Sequence, residues 1–387
     1  MLKAIVGSST AADVNAAARE ATAEMKDASP KMAFVYSGEQ YDQAALIAAI
    51  KAELPGVPLI GNTSFTGVIT QKGFISSADG FLGIMAFDDP LLTVGVAGMP
   101  IQPAGPRATG KMVAEAALEK AGRTNPPDYF YMSAPPGAEE YYLKGITEVI
   151  GRVPFFGGSA ADNAIAGNWT VYTDEYQAPD GVSVAFFYCD KPFANKFTGA
   201  YTETTNYGVI TRMDGDRTIV EIDGKPACKR YQEWTGASDE AVSGGNLLVT
   251  CVTAPLGVKD RLGDLIAIRH PMNGNDDGSM NVGNNLAVGT AVIQMDGSVD
   301  QLIASVGETL EALKARMNGE IGALHLVHCG GRRAGIDARI DEVTAQIKKA
   351  VGDVPFITEF TFGEYGYEDD GINTCGGLML SFTAFGK

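Results

Sequence analysis

Three histidines, two adjacent arginines, an isolated glutamate and two polar glycine-bearing loops are the groups with which this 387-residue chain could do chemistry. His270 stands in "IRHPM" at the end of a strand pattern, where an imidazole can reach a pocket mouth. His325 and His328 lie three apart in "LHLVHC". On a strand that spacing turns them to opposite faces, which argues against one shared metal. Arg332 and Arg333 follow "HCGG" and offer a fork for a ligand carboxylate, or an exposed pair opening a helix. Glu364 in "TFGEYG" sits just past a strand pattern, placed to meet an ammonium group or to cap a helix. Asn62, Thr63 and Ser64 in "GNTS", with Ser159, Asp162 and Asn163 in "GGSAADN", set donors and acceptors beside glycines that admit close backbone approach. The same residue types satisfy their own turns, and both readings stand for these loops.

Enzyme motifs are missing around them. "GSST" at 7–10 follows a strand but lacks the lysine of a phosphate loop. Neither serine loop is a G-x-S-x-G elbow, and "NGNDDGSMNVG" (273–283) misses the calcium-loop spacing and reads as an exposed hairpin loop. The five cysteines (Cys189, Cys228, Cys251, Cys329, Cys375) form no C-x-x-C pair and read as reduced thiols. Cys329 adjoins His328 and so points away from it on a strand, a poor thiolate–imidazole geometry. No catalytic residue is assigned.

The polar loops gain interest from what precedes them. "GVPLIGNTS" (56–64) resembles "GRVPFFGGSA" (151–160) and "GDVPFITEFT" (352–361). Ahead of each lies a strand and then an amphipathic helix: 31–38 and 41–54, 128–137 and 138–151, 322–329 and 339–352. Phe34 to Pro58 and Phe130 to Pro154 are both 24 positions apart, and the closing strands at 79–87 and 180–188 both begin Asp-Gly. A further closing strand is expected at 375–385. Strand–helix–strand–strand units of this size cannot bury both faces alone and must assemble around shared sheets. Between the second and third units, Asp-Gly turns and alternating runs over 205–236 signal hairpins, with more strands at 263–297 and a helix at 299–317. The expected fold class is α/β: layered mixed sheets with outer helices and an αββα-like pairing of units as one arrangement. The expected domains are 1–198, with two units, and 199–387, with the strand-rich insert and the third.

Composition narrows the partners. A chain 45% hydrophobic and 20% charged is not disordered. A formal charge of −17 disfavours nucleic acid and anionic membrane, both of which need a positive patch. "MLKAIVGSSTAADV" is no signal peptide and no stretch reaches the roughly 18 apolar residues of a spanning helix. A cytoplasmic protein without membrane insertion is expected.

The order of "GSST", "IGNTSFTGVI", "GGSAADN", "VGNNLAVGTAV" and "FTFGEYG…GGLML" over nearly the whole chain resembles the FIST family, with its N-terminal and C-terminal FIST domains. The "YEDDG" after Glu364 departs from the family's continuation. The resemblance implies a non-catalytic sensory protein that binds a small ligand, such as an amino acid, and signals to a separate partner. It also implies, as an alternative, a haem-based nitric-oxide sensor acting on a histidine kinase, with haem as cofactor and His270 and His328 as candidate axial ligands. No C-x-x-C-H is present for covalent haem. An enzyme on the same scaffold is the third reading.

Overall fold

The computed structural model describes residues 1–259, 264–368 and 372–387. The first stretch runs β1 (Lys3–Ser9), α1 (Val14–Thr22), β2 (Met32–Ser37), α2 (Gln43–Glu53), β3 (Leu59–Thr63), the hairpin β4 (Val68–Thr70) and β5 (Gly73–Ile75), then β6 (Leu82–Asp88). The second is β7 (Thr93–Met99), α3 (Pro106–Ala121), β8 (Tyr129–Ala134), α4 (Glu139–Ile150), β9 (Phe155–Ser159), β10 (Val171–Thr173), β11 (Gln177–Ala178) and β12 (Val182–Tyr188). After β13 (Phe193–Thr198) comes the insert. It holds β14 (Thr202–Asp214), β15 (Thr218–Ile222), β16 (Lys225–Pro226), α5 (Ala227–Thr235), α6 (Asp239–Val242) and α7 (Leu248–Cys251). It continues with β17 (Leu256–Lys259), β18 (Ile266–Arg269), β19 (Pro271–Gly274), β20 (Met280–Val282) and β21 (Ala291–Asp296). The last stretch is α8 (Val299–Arg316), β22 (Ile321–Cys329), α9 (Gly330–Ile336), α10 (Ile340–Val351), β23 (Phe356–Thr361), β24 (Glu364–Tyr367), β25 (Asn373–Gly376) and β26 (Leu380–Gly386).

Three six-stranded sheets share one plan: β1-β6-β2-β3-β10-β11, β7-β12-β8-β9-β24-β25 and β13-β26-β22-β23-β4-β5. In each, a parallel pair joined through a helix forms the centre and antiparallel strands close one side. The Val-Pro junctions start the parallel ladders: the carbonyls of Pro58, Pro154 and Pro355 accept the N–H of Ala33, Phe130 and Leu324. Proline has no N–H to give, so it fits the first rung of a strand, where only its carbonyl is used. By this pairing the counterpart of Phe34 is Tyr131, not Phe130, and the equal 24-residue spacing is one residue out of register.

The far edge of every sheet is a hairpin from another unit. β10–β11 follows β9 yet pairs with β3; β24–β25 follows β23 yet pairs with β9; β4–β5 follows β3 yet pairs with β23. The exchange closes into a ring and leaves the third sheet built from residues on both sides of the 198/199 division. Helices cover the outer faces: α1 and α2 on the first sheet, α3 and α4 on the second, α8 and α10 on the third. Asp42 caps α2 by accepting the Ala45 N–H at 3.0 Å, and its buried stripe is Leu46, Ile47 and Ile50. Glycines let α3 and α4 approach backbone to backbone, since a Cβ on Gly145 would lie 1.9 Å from the Arg107 carbonyl oxygen.

Inner faces of the three sheets meet in a single core. Equivalent side chains Phe34, Tyr131 and His325 form a triangle with ring centroids 5.2, 4.9 and 5.7 Å apart. Beneath it lie Phe87, Phe187 and Phe385, again at equivalent positions. The insert is a separate twisted sheet, β18-β17-β21-β14-β15-β20-β19, with β16 beside β15. Both Asp-Gly turns in 205–236 close hairpins, β14–β15 and β15–β16. Residues 227–235 turn into α5 instead of strand, because Ala227, Cys228 and Tyr231 are its buried face. No helix among the described residues is long and apolar enough to cross a membrane.

Candidate functional site

Directly above the ring triangle, the inward positions turn polar. Asn62 and Glu359 are equivalent residues on β3 and β23, and Tyr36 and Ser133 are equivalent on β2 and β8. Asn62 Nδ2 donates to Glu359 Oε2 at 2.9 Å, Tyr131 Oη at 3.0 Å and Ser133 Oγ at 3.0 Å. Tyr131 Oη donates to Glu359 Oε1 at 3.4 Å, and Tyr36 Oη meets His325 Nε2 at 2.5 Å. All six side chains are buried. Burial pushes Glu359 up to about 8 and His325 down to about 3, so at neutral pH the carboxyl is largely protonated and the imidazole is neutral. The axis therefore carries an uncharged hydrogen-bond network drawn from three sheets. Asn62 Oδ1 and His325 Nδ1 have no partner in it.

The loops singled out from sequence pack around this axis. Thr63 Oγ1 accepts the Thr170 N–H at 2.9 Å, and Ser64 Oγ donates to the Gly67 carbonyl at 2.8 Å while accepting the Phe360 N–H at 2.9 Å. Ser159 Oγ bonds Tyr365 Oη at 2.7 Å and Glu139 Oε1 at 3.2 Å. Asp162 organises its own loop by accepting the N–H groups of Ala164, Ala166, Gly167 and Asn168. Asn163 Oδ1 accepts the Thr66 N–H at 2.7 Å. Of these residues, only Asn62 enters the axial network directly.

A second buried group lies where the end of β22 in the third sheet and the start of β24 in the second meet beside the insert. Glu364 Oε1 accepts from Thr361 Oγ1 and Oε2 from the Met379 N–H, both at 2.9 Å; burial pushes it up to about 8. Cys329 Sγ accepts the Gly331 and Leu378 N–H groups at 3.3 and 3.2 Å, and burial holds the thiol protonated. Arg332 reaches α8, donating from Nη2 to the Leu302 carbonyl at 2.9 Å and Ser305 Oγ at 2.6 Å.

On the solvent side of the same seam is a cavity of about 160 Å³. Phe197, Tyr201, Leu265, Ile266, Ile268 and Met295 give it apolar walls, with Lys196, Asp264 and Glu368 as charged lining groups. Glu368 lies 4.0 Å from Lys196 Nζ and 3.5 Å from Arg316 Nη2. Tyr201 is shared: it lines the cavity, donates to the Val252 carbonyl at 2.9 Å and interacts electrostatically with Arg332, Cys329 and Glu364.

The histidines are packed by the chain itself. Gly283 and Gly377 close on the His270 ring, each so near that a Cβ would fall 2.0 Å from it. His328 donates Nδ1–H to the Cys329 carbonyl at 3.0 Å and packs on Phe360. Burial pulls them down to about 4 and 3 respectively, so both are neutral, with His270 Nδ1 and His328 Nε2 unpartnered. Neither ring lines the cavity at the seam. His325 faces the axis and His328 the opposite side, as their spacing predicts. Among the described residues no group of His, Cys, Asp and Glu is arranged to hold a metal ion.

Sequence reasoning missed Tyr36, Tyr131, Ser133 and Glu359. The available signal was Glu359 itself, a carboxylate inside the apolar parallel strand "VPFITEFT".

Two family models match the chain: the FIST N domain over residues 31–225 and the FIST C domain over 227–367. No curated protein matches it. Among solved structures, the cyanuric acid hydrolase of A. caulinodans is similar over 100% of both chains, at 11% identity and a TM-score of 0.38. PurLQS of Thermotoga maritima is similar over 99% of this chain and 72% of its own, at 10% identity and a TM-score of 0.24. Neither protein's activity is carried over to this chain.

Proposed function

This chain belongs to the FIST family, and from that premise we propose that it is a sensory protein that binds a small zwitterionic metabolite, an amino acid or close analogue, and signals to a separate partner. The observation that carries the reading is the cavity at the seam between the third sheet and the insert. Its volume of about 160 Å³ suits a small side chain, and its apolar walls sit beside cationic and anionic groups. In this reading Lys196 takes the ligand's carboxylate and Glu368 its ammonium, while Phe197, Ile268 and Met295, which line the cavity, receive the apolar part. Tyr201 supplies the route of response, since it is at once a cavity wall and a neighbour of the buried Cys329, Arg332 and Glu364. Binding is favoured over catalysis because the buried acid and base groups Glu359, His325 and Glu364 sit on the axis and behind Tyr201, and none of the three lines the cavity.

Calorimetry and thermal shift against a panel of amino acids test the reading on the full chain. At least one should bind, and Ile268→Trp, which fills the cavity, should abolish that binding while Glu368→Gln weakens it. A panel with no binder, or binding indifferent to Ile268→Trp, overturns it. A stoichiometric Soret band in the purified protein that shifts with nitric oxide would favour the haem-based reading instead.

A further inference from the structure

The polar groups around the seam cavity are unequally served. Lys196 and Glu368 stand 4.0 Å apart as a loose pair, and Glu368 also lies 3.5 Å from Arg316 Nη2. The hydroxyl donors of the lining are spent on the chain: Thr198 Oγ1 donates to the Gly199 carbonyl and Tyr201 Oη to the Val252 carbonyl, both at 2.9 Å. Asp264 is different. It is exposed where it lines the cavity, and its carboxylate meets neither a cation nor a hydrogen-bond donor among the described residues. An ionised carboxylate only accepts, so what it recognises must donate, and a cation does so best. Asp264 also leads into β18, whose Ile266 and Ile268 form apolar wall of the same cavity.

We propose that the ligand of this cavity is a basic amino acid, and that Asp264 selects it by pairing with its side-chain ammonium or guanidinium. The inference rests on the amino-acid reading above and adds the side chain to it. A ligand's carboxylate and ammonium entering between Lys196 and Glu368 exchange one pair of charges for another and leave Asp264 as it was. A neutral side chain gives Asp264 no partner, and an acidic one sets a like charge beside it. The stem of a lysine or ornithine side chain suits the apolar wall of Ile266 and Ile268, while its head stays in water at the exposed carboxylate. Water and salt weaken an ion pair so placed, and the preference it confers is about two- to fivefold.

The test is calorimetry on the full chain, at low and high salt, with L-lysine, L-ornithine, L-norleucine and L-glutamate. Norleucine is lysine without its charged head, so the ratio of the two affinities isolates the contact with Asp264. Lysine and ornithine should bind about two- to fivefold tighter than norleucine at low salt and less so at high salt, with glutamate weakest. The ratio should fall to about one in Asp264→Asn, and Asp264→Lys should invert the order of lysine and glutamate. Both substitutions fall at an exposed position, so both variants should melt with the wild type. Equal affinities for lysine and norleucine, or a ratio that survives Asp264→Asn, overturn this inference. If norleucine still binds in that case and Ile268→Trp abolishes its binding, the amino-acid reading stands without it. Binding by no amino acid at all overturns both.

Discussion

Glu359→Gln should make this protein more stable, and increasingly so as pH rises. The folded carboxyl titrates at about 8, pushed up by burial on the axis, whereas an unfolded glutamate titrates near about 4.3. Between those values the folded chain keeps a proton that the unfolded chain releases. The associated stability is therefore complete below about pH 4.3 and is lost as the pH climbs towards 8. Each pH unit is worth about 1.36 kcal/mol, so the loss has reached about 3.6 kcal/mol at pH 7. Glutamine keeps the shape and an acceptor for Asn62 Nδ2, turns an amide N–H towards Tyr131 Oη, whose oxygen can accept it, and has no proton to lose. Unfolding entropy of about 2.1 cal/mol/K per residue comes to about 0.8 kcal/mol/K for this chain, so the gain is at most about 4 °C in Tm at pH 7.

The wild-type profile sharpens this. His270, His325 and His328 are held down to about 4, 3 and 3, so each contributes stability present above about pH 6.5 and lost as the pH falls through that window. Glu359 and Glu364 act in the opposite direction, each losing stability as the pH rises towards 8. Burial raises Glu39 and Glu139 in the same direction, and above about pH 6.5, where the histidine contribution is complete, Glu359 and Glu364 together lower stability by about 2.7 kcal/mol per unit until they titrate near 8. Scanning calorimetry from pH 6.5 to 8 should show stability falling with pH in the wild type, with a shallower fall in Glu359→Gln. A variant that melts below the wild type at pH 8, or whose advantage does not grow between pH 5 and 8, refutes the claim that a neutral carboxyl sits on the axis.

Gly145→Ala should lower Tm by about 1–4 °C, because its Cβ would collide with the Arg107 carbonyl where α3 and α4 touch; an unchanged melt would mean the helices separate freely. Arg217→Met should loosen the insert from α4, since Arg217 Nη2 lies 2.6 Å from both Glu139 Oε2 and Glu140 Oε2 and buried Glu139 is left without its counter-charge, at a cost of about 3 kcal/mol. Limited proteolysis should then cut the insert faster than the three-sheet core, and equal rates would contradict that role.

Much of the secondary structure was legible because it rests on local periodicity. The helices α2, α4, α8 and α10 fall on their apolar stripes, and the Val-Pro junctions mark strand starts. Helices α1 and α3 were not recognised, although Pro106 in the first turn and left-handed Gly122 at the end of α3 are local signals. The extension of the 205–236 strand pattern over α5 failed for a different reason, since three buried positions cannot distinguish the two periods without knowing which face is covered.

The site was hidden by something no local pattern contains. Each hairpin pairs with a sheet other than the one its own unit founds, so an inward-facing residue meets partners about 70 to 300 positions away. Asn62 looks like a turn residue within "GNTS", and only the closed ring of sheets sets it against Ser133 and Glu359. A chain with three like units must also fill one axis with three side chains at every level. Phe34, Tyr131 and His325 show that the level admits different chemistry from each unit. Divergence at those inward positions, with strand order unchanged, lets one scaffold exchange an apolar plug for a polar network. The residues that distinguish this protein are therefore best sought where equivalent positions disagree, and Asn62, Gly158 and Glu359 disagree most.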